Sequence, residues 1–455
     1  MRWRSQPRHY GSSASLEKCL SILLKDVSWL VTQNSARAVM KNQSILIEDG
    51  KVAEIGACAA KSADETIDCE GKIVLPGLIN THTHLAMTLF RGLADDMKLE
   101  EWLKSKIWPL ELKLTGEMCH YGALLGCLEM IATGTTTFLD MYFFMDEVAK
   151  AVVEAGLRAF LAHAVFGDEG SASERTSKEN TKQLVKYLGE LNNPIVKPAV
   201  GPHAPYSCSP ELLMWSKEIA EREHAVLHIH LAETRMEQAR AQKDHGMGEV
   251  AYLEKLGFLS PNLIAAHCVW LSKGEVSILA KRGVKVSHCP VSNMKLASGG
   301  VAPVPEMLEN GVTVSIGTDG AASNNSLDMF ESMKICALVH RAHRWDATIL
   351  PAQQVLDLAT IEAAKALGIN DRIGSIETGK QADLVIIDAR KPNLAPLSEE
   401  TVISDLVYSA KGHNVDTTIV NGKAIMKSRE FVTLKESAIY DKTNECARDL
   451  TADLM

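Results

Sequence analysis

The chain carries no surplus of basic residues: 48 Lys and Arg stand against 57 Asp and Glu, a formal net charge of -9. That balance argues against a nucleic-acid backbone or an anionic membrane as the main partner and leaves a small molecule as the expected one. No run of roughly eighteen apolar residues exists, so no membrane-spanning helix is expected. Residues 1–15 lack the apolar stretch of a secretory leader and are expected to form a disordered extension. The ten cysteines are scattered singly from Cys19 to Cys446 with no Cys-x-x-Cys pair. Sulfurs so placed behave as small apolar residues of a reducing compartment, and the expected location is the cytoplasm. Several catalytic signatures are also missing. There is no His-x-Glu with Pro-Cys-x-x-Cys, no His-Glu-x-x-His, no Gly-x-x-x-x-Gly-Lys-Ser/Thr and no Gly-x-Gly-x-x-Gly. Cytidine-deaminase-type, zinc-protease, nucleoside-triphosphatase and dehydrogenase chemistries are thereby excluded.

What is present is a 455-residue chain, 46% apolar and 23% charged, a soluble globular composition too long for one ordinary domain. Short β segments with turn residues fill the beginning, including 43–48, the turn 48–51 and 52–55, and a matching set appears at 382–388, 417–423 and 424–426. The two ends, 16–75 and 375–440, are expected to pair into one small composite β-sandwich domain, with 441–455 as a tail. Between 76 and 372 the pattern becomes apolar strand-like runs separated by helix-length amphipathic stretches, the βα alternation of a parallel sheet. Eight runs can be counted: 73–82, 135–141, 158–165, 196–203, 226–233, 263–269, 285–289 and 313–319. Eight predicts a closed (β/α)8 TIM-type barrel, with an open doubly wound sheet as the alternative.

Barrel active sites lie at the C-terminal ends of strands, and the unusual side chains of this chain fall there. His82 and His84, in Thr81-His82-Thr83-His84, follow the first run; two imidazoles at i and i+2 on a strand share a face and can reach one ion. His203 ends the fourth run, His230 and Glu233 the fifth, His267 the sixth, His288 the seventh and Asp319 the eighth. His82, His84, His230 and Asp319 are the expected metal ligands, a set suited to Zn²⁺ with Fe²⁺ as second candidate. A water at such an ion can have its pKa lowered to roughly 7, so hydrolysis is the expected reaction class. Glu233 is the expected general acid/base, against the plainer reading of a carboxylate capping the next helix. His267 either holds the attacking water or is a satisfied core histidine, His228 is expected one layer deeper behind the ligands, and His288 is left between site-lining and structural.

The segments Pro76-Gly-Leu-Ile-Asn-Thr-His-Thr-His84, Arg91-Gly-Leu-Ala-Asp95, Gly201-Pro-His-Ala-Pro205, His228-Ile-His-Leu-Ala-Glu-Thr234, Ser287-His-Cys-Pro-Val-Ser-Asn-Met-Lys-Leu-Ala-Ser298 and Gly317-Thr-Asp-Gly-Ala-Ala-Ser-Asn-Asn325 together resemble the amidohydrolase superfamily. Within it they resemble the 5'-methylthioadenosine/S-adenosylhomocysteine deaminase family, from about residue 20 to 441. The resemblance implies a barrel with a composite β domain that binds one divalent metal and hydrolytically removes ammonia from C6 of an adenine nucleoside; 5'-deoxyadenosine and adenosine fall within the implied substrate range. It implies that Glu233 protonates ring N1 and shuttles the proton, that His267 assists the water, and that Asp319 doubles as the base. Glu111 matches the carboxylate that grips the ribose hydroxyls, His203 a substrate-binding histidine, and Arg175 an arginine some members place near the 5' substituent. Binuclear members use a carboxylated lysine at the end of strand four; here His203 stands there, so one metal per chain is implied. A homo-oligomer is implied as well. The competing reading is an amidohydrolase acting on guanine, a cytosine ring or an s-triazine, and Glu111 discriminates, since a free base offers no ribose.

Overall fold

The computed structural model describes residues 21–452 apart from 57, 94 and 98; the expected extension over 1–15 lies outside them. The eight expected barrel strands form at Leu78–Thr83, Thr135–Tyr142, Arg158–Val165, Val196–Pro202, Val226–Leu231, Leu263–His267, Lys285–His288 and Val314–Ile316. Each pairs in parallel with the next in chain order. The second and third are buried at every position, because helices cover one face and the barrel interior the other. The eighth strand returns to the first through side chain and backbone together. Asn80 accepts the Thr318 N–H at 3.0 Å, and the Asp319 N–H donates to the His82 carbonyl at 2.9 Å.

The first expected run divides at Gly77, which is a correction to the reading of 73–82 as one strand. Lys72–Pro76 belongs to the composite sheet, where Leu75 lies opposite Val385 and Ile73 opposite Trp29. Only after Gly77 does the chain enter the barrel. A Cβ there would lie 2.1 Å from Thr136 Oγ1, so no other residue can make this crossing without displacing the second barrel strand.

Both chain ends build the composite domain, and its hydrogen bonding runs through nine strands as one mixed sheet. Ile22–Val31, Val39–Glu48, Lys51–Gly56, Glu65–Asp68 and Lys72–Pro76 come from the first part; Leu384–Asp388, Val415–Val420, Lys423–Lys427 and Glu430–Phe431 come from the last. The turn expected at 48–51 is a hairpin whose Asp49 (φ 50°) and Gly50 (φ 77°) are both left-handed, the geometry that matches strand twist. A buried bidentate pair latches the domain to the base of the barrel: Arg158 Nε and its terminal nitrogen donate to Asp383 at 2.7 and 3.0 Å. Residues expected as a tail lie in a helix, Glu436–Thr451, whose Thr443 hydroxyl reaches the Tyr121 carbonyl of helix Gly116–Ala132.

Candidate metal and substrate site

Hydrogen bonds fix the protonation of three imidazoles at the open end of the barrel. His84 Nδ1 faces the Met141 carbonyl at 2.7 Å and His230 Nδ1 faces the His203 carbonyl at 2.7 Å, so each Nδ1 must carry the proton. His228 Nδ1 likewise donates to the Ile264 carbonyl at 2.9 Å; its Nε2 must therefore accept from His82 Nδ1, 2.8 Å away. Each of the three ligand candidates therefore turns its Nε2 toward the others. His230 Nε2 and His84 Nε2 stand 3.3 Å apart, and His82 Nε2 is buried with no hydrogen-bond partner among the described residues. Asp319 Oδ1 closes the group at 3.5 Å from His82 Nε2 and 3.3 Å from His84 Nε2. Nitrogens converging in a dry pocket beside a carboxylate need a proton or a metal cation among them, and three imidazoles with one carboxylate are a donor set that fits a zinc-type ion.

Burial holds most of these rings neutral: His82 and His267 fall to about 4, His203 to about 3, and His228 and His230 lie well below the usual value. Burial disfavours a charge on His84 too, yet the hydrogen bond and negative charge of Asp319 lift it to about 9. Asp319 correspondingly stays ionised, held well below the carboxylate range by His82 and His84 against its own burial. Its Oδ2 accepts the Ser292 hydroxyl at 2.6 Å and its Oδ1 the Gly320 N–H at 2.6 Å. Backbone strain gathers here as well. Ala232 (φ 52°), His267 (φ 71°), Cys268 (φ 49°) and Asp319 (φ 65°) are left-handed residues at the ends of the fifth, sixth and eighth strands.

Glu233 stands at the mouth of this group, its Oε2 3.6 Å from His267 Nε2. Burial first, and then the charge of Asp319, push its carboxyl up to about 8. A neutral carboxylic acid beside a neutral imidazole can give a proton to a bound ring nitrogen and later recover one. Glu111 ends a short helix, Trp108–Glu111, reached through a π-helical turn, Leu103–Ile107. Its Oε1 accepts the Tyr142 hydroxyl at 2.8 Å, which leaves Oε2 for another donor. His203 Nδ1 is paired with the Ser207 hydroxyl at 2.9 Å while Phe166 lies over its ring at 4.5 Å.

These groups share one cavity in two compartments. An inner pocket of about 100 Å³ is lined by His84, His230, Glu233, His267 and Asp319. It meets an outer one of about 1010 Å³ across Trp108, Glu111, Phe143, Phe166, His203 and Tyr206. Every expected site residue but one is thereby brought together. Arg175 lies exposed on helix Ala172–Leu191, donating to the Gly170 carbonyl at 2.6 Å, and lines neither compartment. Ser171 caps this helix by accepting the Glu174 N–H. Arg240, stacked 5.6 Å over Tyr206, is the arginine that lines the outer compartment. His288 faces His340 at 3.2 Å and lines neither compartment. Tyr142 was not anticipated, and Ser292 and Asn293, within the quoted segment Ser287–Ser298, had no role of their own until the fold set them against Asp319 and His267.

The amidohydrolase family model matches residues 73–425. The 5'-deoxyadenosine deaminase of Methanosarcina barkeri is 48% identical over 429 residues, 94% of this chain and 98% of that protein. The 5-methylthioadenosine/S-adenosylhomocysteine deaminase of Thermococcus sibiricus is 47% identical, over 90% of this chain and 94% of its own. Among solved structures, an adenosine deaminase from Xanthomonas campestris with bound zinc superposes with a TM-score of 0.90 at 33% identity, covering 95% of this chain and 98% of that one.

Proposed function

Because the chain belongs to the amidohydrolase family, we propose that it is a zinc-dependent aminohydrolase that releases the 6-amino group of adenine nucleosides as ammonia and leaves the inosine-type product. His82, His84, His230 and Asp319 would hold the single metal, whose contribution when bound is Lewis-acid activation of a water. The remaining work belongs to this chain's own side chains. Glu233, protonated at neutral pH, gives its proton to ring N1 and so draws electron density from C6. Asp319 accepts one proton of the attacking water, which His267 Nε2 orients, and passes it to the departing amine. Glu233, now a carboxylate, takes the second proton of that water as the C6 carbonyl forms. Two protons from water thus end on N1 and on ammonia, and both carboxyl groups return to their starting states.

The observation that carries the nucleoside reading is Glu111. It is braced by Tyr142 at the junction of the two compartments, where a ring in the inner pocket presents its sugar, and one carboxylate oxygen can accept from two vicinal hydroxyls. The outer compartment of about 1010 Å³ then receives the 5' substituent, and the relatives' names favour 5'-deoxyadenosine, 5'-methylthioadenosine and S-adenosylhomocysteine. We place the protein in the cytoplasm on its nine unpaired, buried described cysteines; among the described residues no helix is long and apolar enough to cross a membrane. The test is the ultraviolet shift from adenine to hypoxanthine chromophore, followed with zinc-loaded protein on a panel of 5'-substituted adenosines and on guanine. Turnover of the adenosines is expected; silence on all of them with activity on guanine overturns the substrate.

A further inference from the structure

One short segment after the seventh barrel strand touches three separate catalytic groups. Helix Pro290–Lys295 starts at a proline in its first position, and its Ser292 hydroxyl bonds Asp319. The next residue, Asn293, sets its amide edge 3.1 Å from His267 Nδ1 and 3.4 Å from Ser298 Oγ. The left-handed Ala297 (φ 49°) turns the chain back, and the Ser298 N–H bonds the Asn293 carbonyl at 3.0 Å while the Trp270 indole N–H bonds the Ser298 carbonyl at 2.7 Å. Fixed from both sides, the Ser298 hydroxyl faces the Glu233 carboxyl, where it favours the ionised form against burial. The result is a closed ring of four side chains, Glu233, Ser298, Asn293 and His267, completed by the 3.6 Å approach of His267 Nε2 to Glu233.

Asn293 and Ser298 are buried, at 5% and 6% exposure, and Asn293 Oδ1 has no partner among the described residues. An unsatisfied buried amide is unfavourable, and an apolar side chain of similar volume would avoid it, so packing does not account for an asparagine here. A neutral imidazole, by contrast, has two tautomers and two ring orientations, and one fixed partner on Nδ1 selects among them.

We propose that Asn293 and Ser298 are positioning residues that hold His267 in one tautomer and hold the Glu233 carboxyl in the orientation from which it exchanges protons with substrate and water. Neither touches the reacting atoms; each acts through the group it holds. This inference rests on the deaminase reading for its kinetic arm and on ring geometry alone for its spectroscopic arm.

The test uses zinc-loaded full-length protein and the variants N293A, S298A, S298T and the double variant N293A/S298A. With adenosine as substrate, N293A and S298A are expected to keep KM and metal content while kcat falls on the order of 10–100-fold, the range over which groups that orient a catalytic side chain act. S298T, which keeps the hydroxyl, restores most of the rate. The double variant falls no further than about the worse single one, because both residues act through one ring. Nitrogen-15 resonances of the His267 ring show one tautomer in the wild type and a mixture in N293A. A rise in KM at unchanged kcat, loss of zinc, additive losses, or no rescue by S298T overturns the proposal, as does an unaltered His267 tautomer in N293A. If N293A does not fold, the S298A and S298T pair decides the matter by the same criteria. A wild type inert on every adenosine refutes the deaminase reading instead, and the ring resonances then decide the positioning role by themselves.

Discussion

Replacing Glu111 separates ribose recognition from ring chemistry, and its size can be worked out in advance. Glu111 Oε1 is committed to Tyr142, 2.8 Å away, so a bound nucleoside meets Oε2, and both sugar hydroxyls can donate to it. A hydrogen bond to a charged acceptor contributes about 1.5–3 kcal/mol net, so losing two in Glu111→Ala costs about 3–6 kcal/mol, or roughly 10²–10⁴ in kcat/KM. Glu111→Gln keeps an acceptor for both hydroxyls and forfeits only the charge, about 1 kcal/mol per bond and roughly 30-fold in all. The assay compares kcat/KM for adenosine, 2'-deoxyadenosine and free adenine in both variants. The penalty should be largest for adenosine, about half as large in free energy for the 2'-deoxy compound, and near zero for adenine. Because Tyr142 is buried, at 3% exposure, Glu111→Ala also strands its hydroxyl; Tyr142→Phe, which leaves the carboxylate free, controls for that loss. Equal losses on adenosine and adenine would refute ribose recognition by Glu111.

Glu233→Gln should retain zinc, measured by elemental analysis, while kcat drops at least ~10²–10⁴-fold, since a positioned proton donor contributes that much to a single step. In metal-stripped protein the folded-state carboxyl of Glu233 titrates near 8, above its unfolded value, so its contribution to stability is full at acid pH and lost as pH rises through 8. Denaturant unfolding should therefore show the wild type losing stability relative to Glu233→Gln between acid pH and 8, and a pH-independent difference would sink the assignment. Chelation should abolish turnover and lower the unfolding temperature, with zinc restoring both; Ser292→Ala, which frees Asp319 Oδ2, should weaken zinc about 10–100-fold in a competition titration. Arg158→Met leaves Asp383 buried and unpaired, at 1% side-chain exposure, and should cost about 3–5 kcal/mol of stability while leaving KM unchanged in the surviving folded protein.

Much of this site was legible in the sequence because barrel geometry turns a one-dimensional rule, chemistry at strand ends, into a three-dimensional cluster. His82, His84, His203, His230, His267 and Asp319 all sit within or just beyond the ends of runs whose apolar character marks them as strands. Failures came where helix or turn chemistry sets direction. Arg175 was carried over from the family resemblance, whereas Ser171 starts a helix that turns the guanidinium back to Gly170. Likewise the run 73–82 was read straight through its Pro76-Gly77 pair, although that pair is a turn signal; the division is fixed by Asp383, whose carbonyl takes the Gly77 N–H at 2.9 Å. Tyr142 and Asn293 went unseen for a related reason, because each matters only through a partner far away in sequence.

The division at Gly77 also sets the order in which the protein can be completed. Lys72–Pro76, directly before the strand that carries His82 and His84, is flanked by Leu384–Asp388 in the finished sheet, a neighbour synthesised some three hundred residues later. As the chain leaves the ribosome, the barrel's leading strand therefore waits with one edge of its root unpaired until nearly the whole sequence has emerged. His82 and His84 thus stand on a strand whose root is secured on both edges only once residues 384–388 have been made.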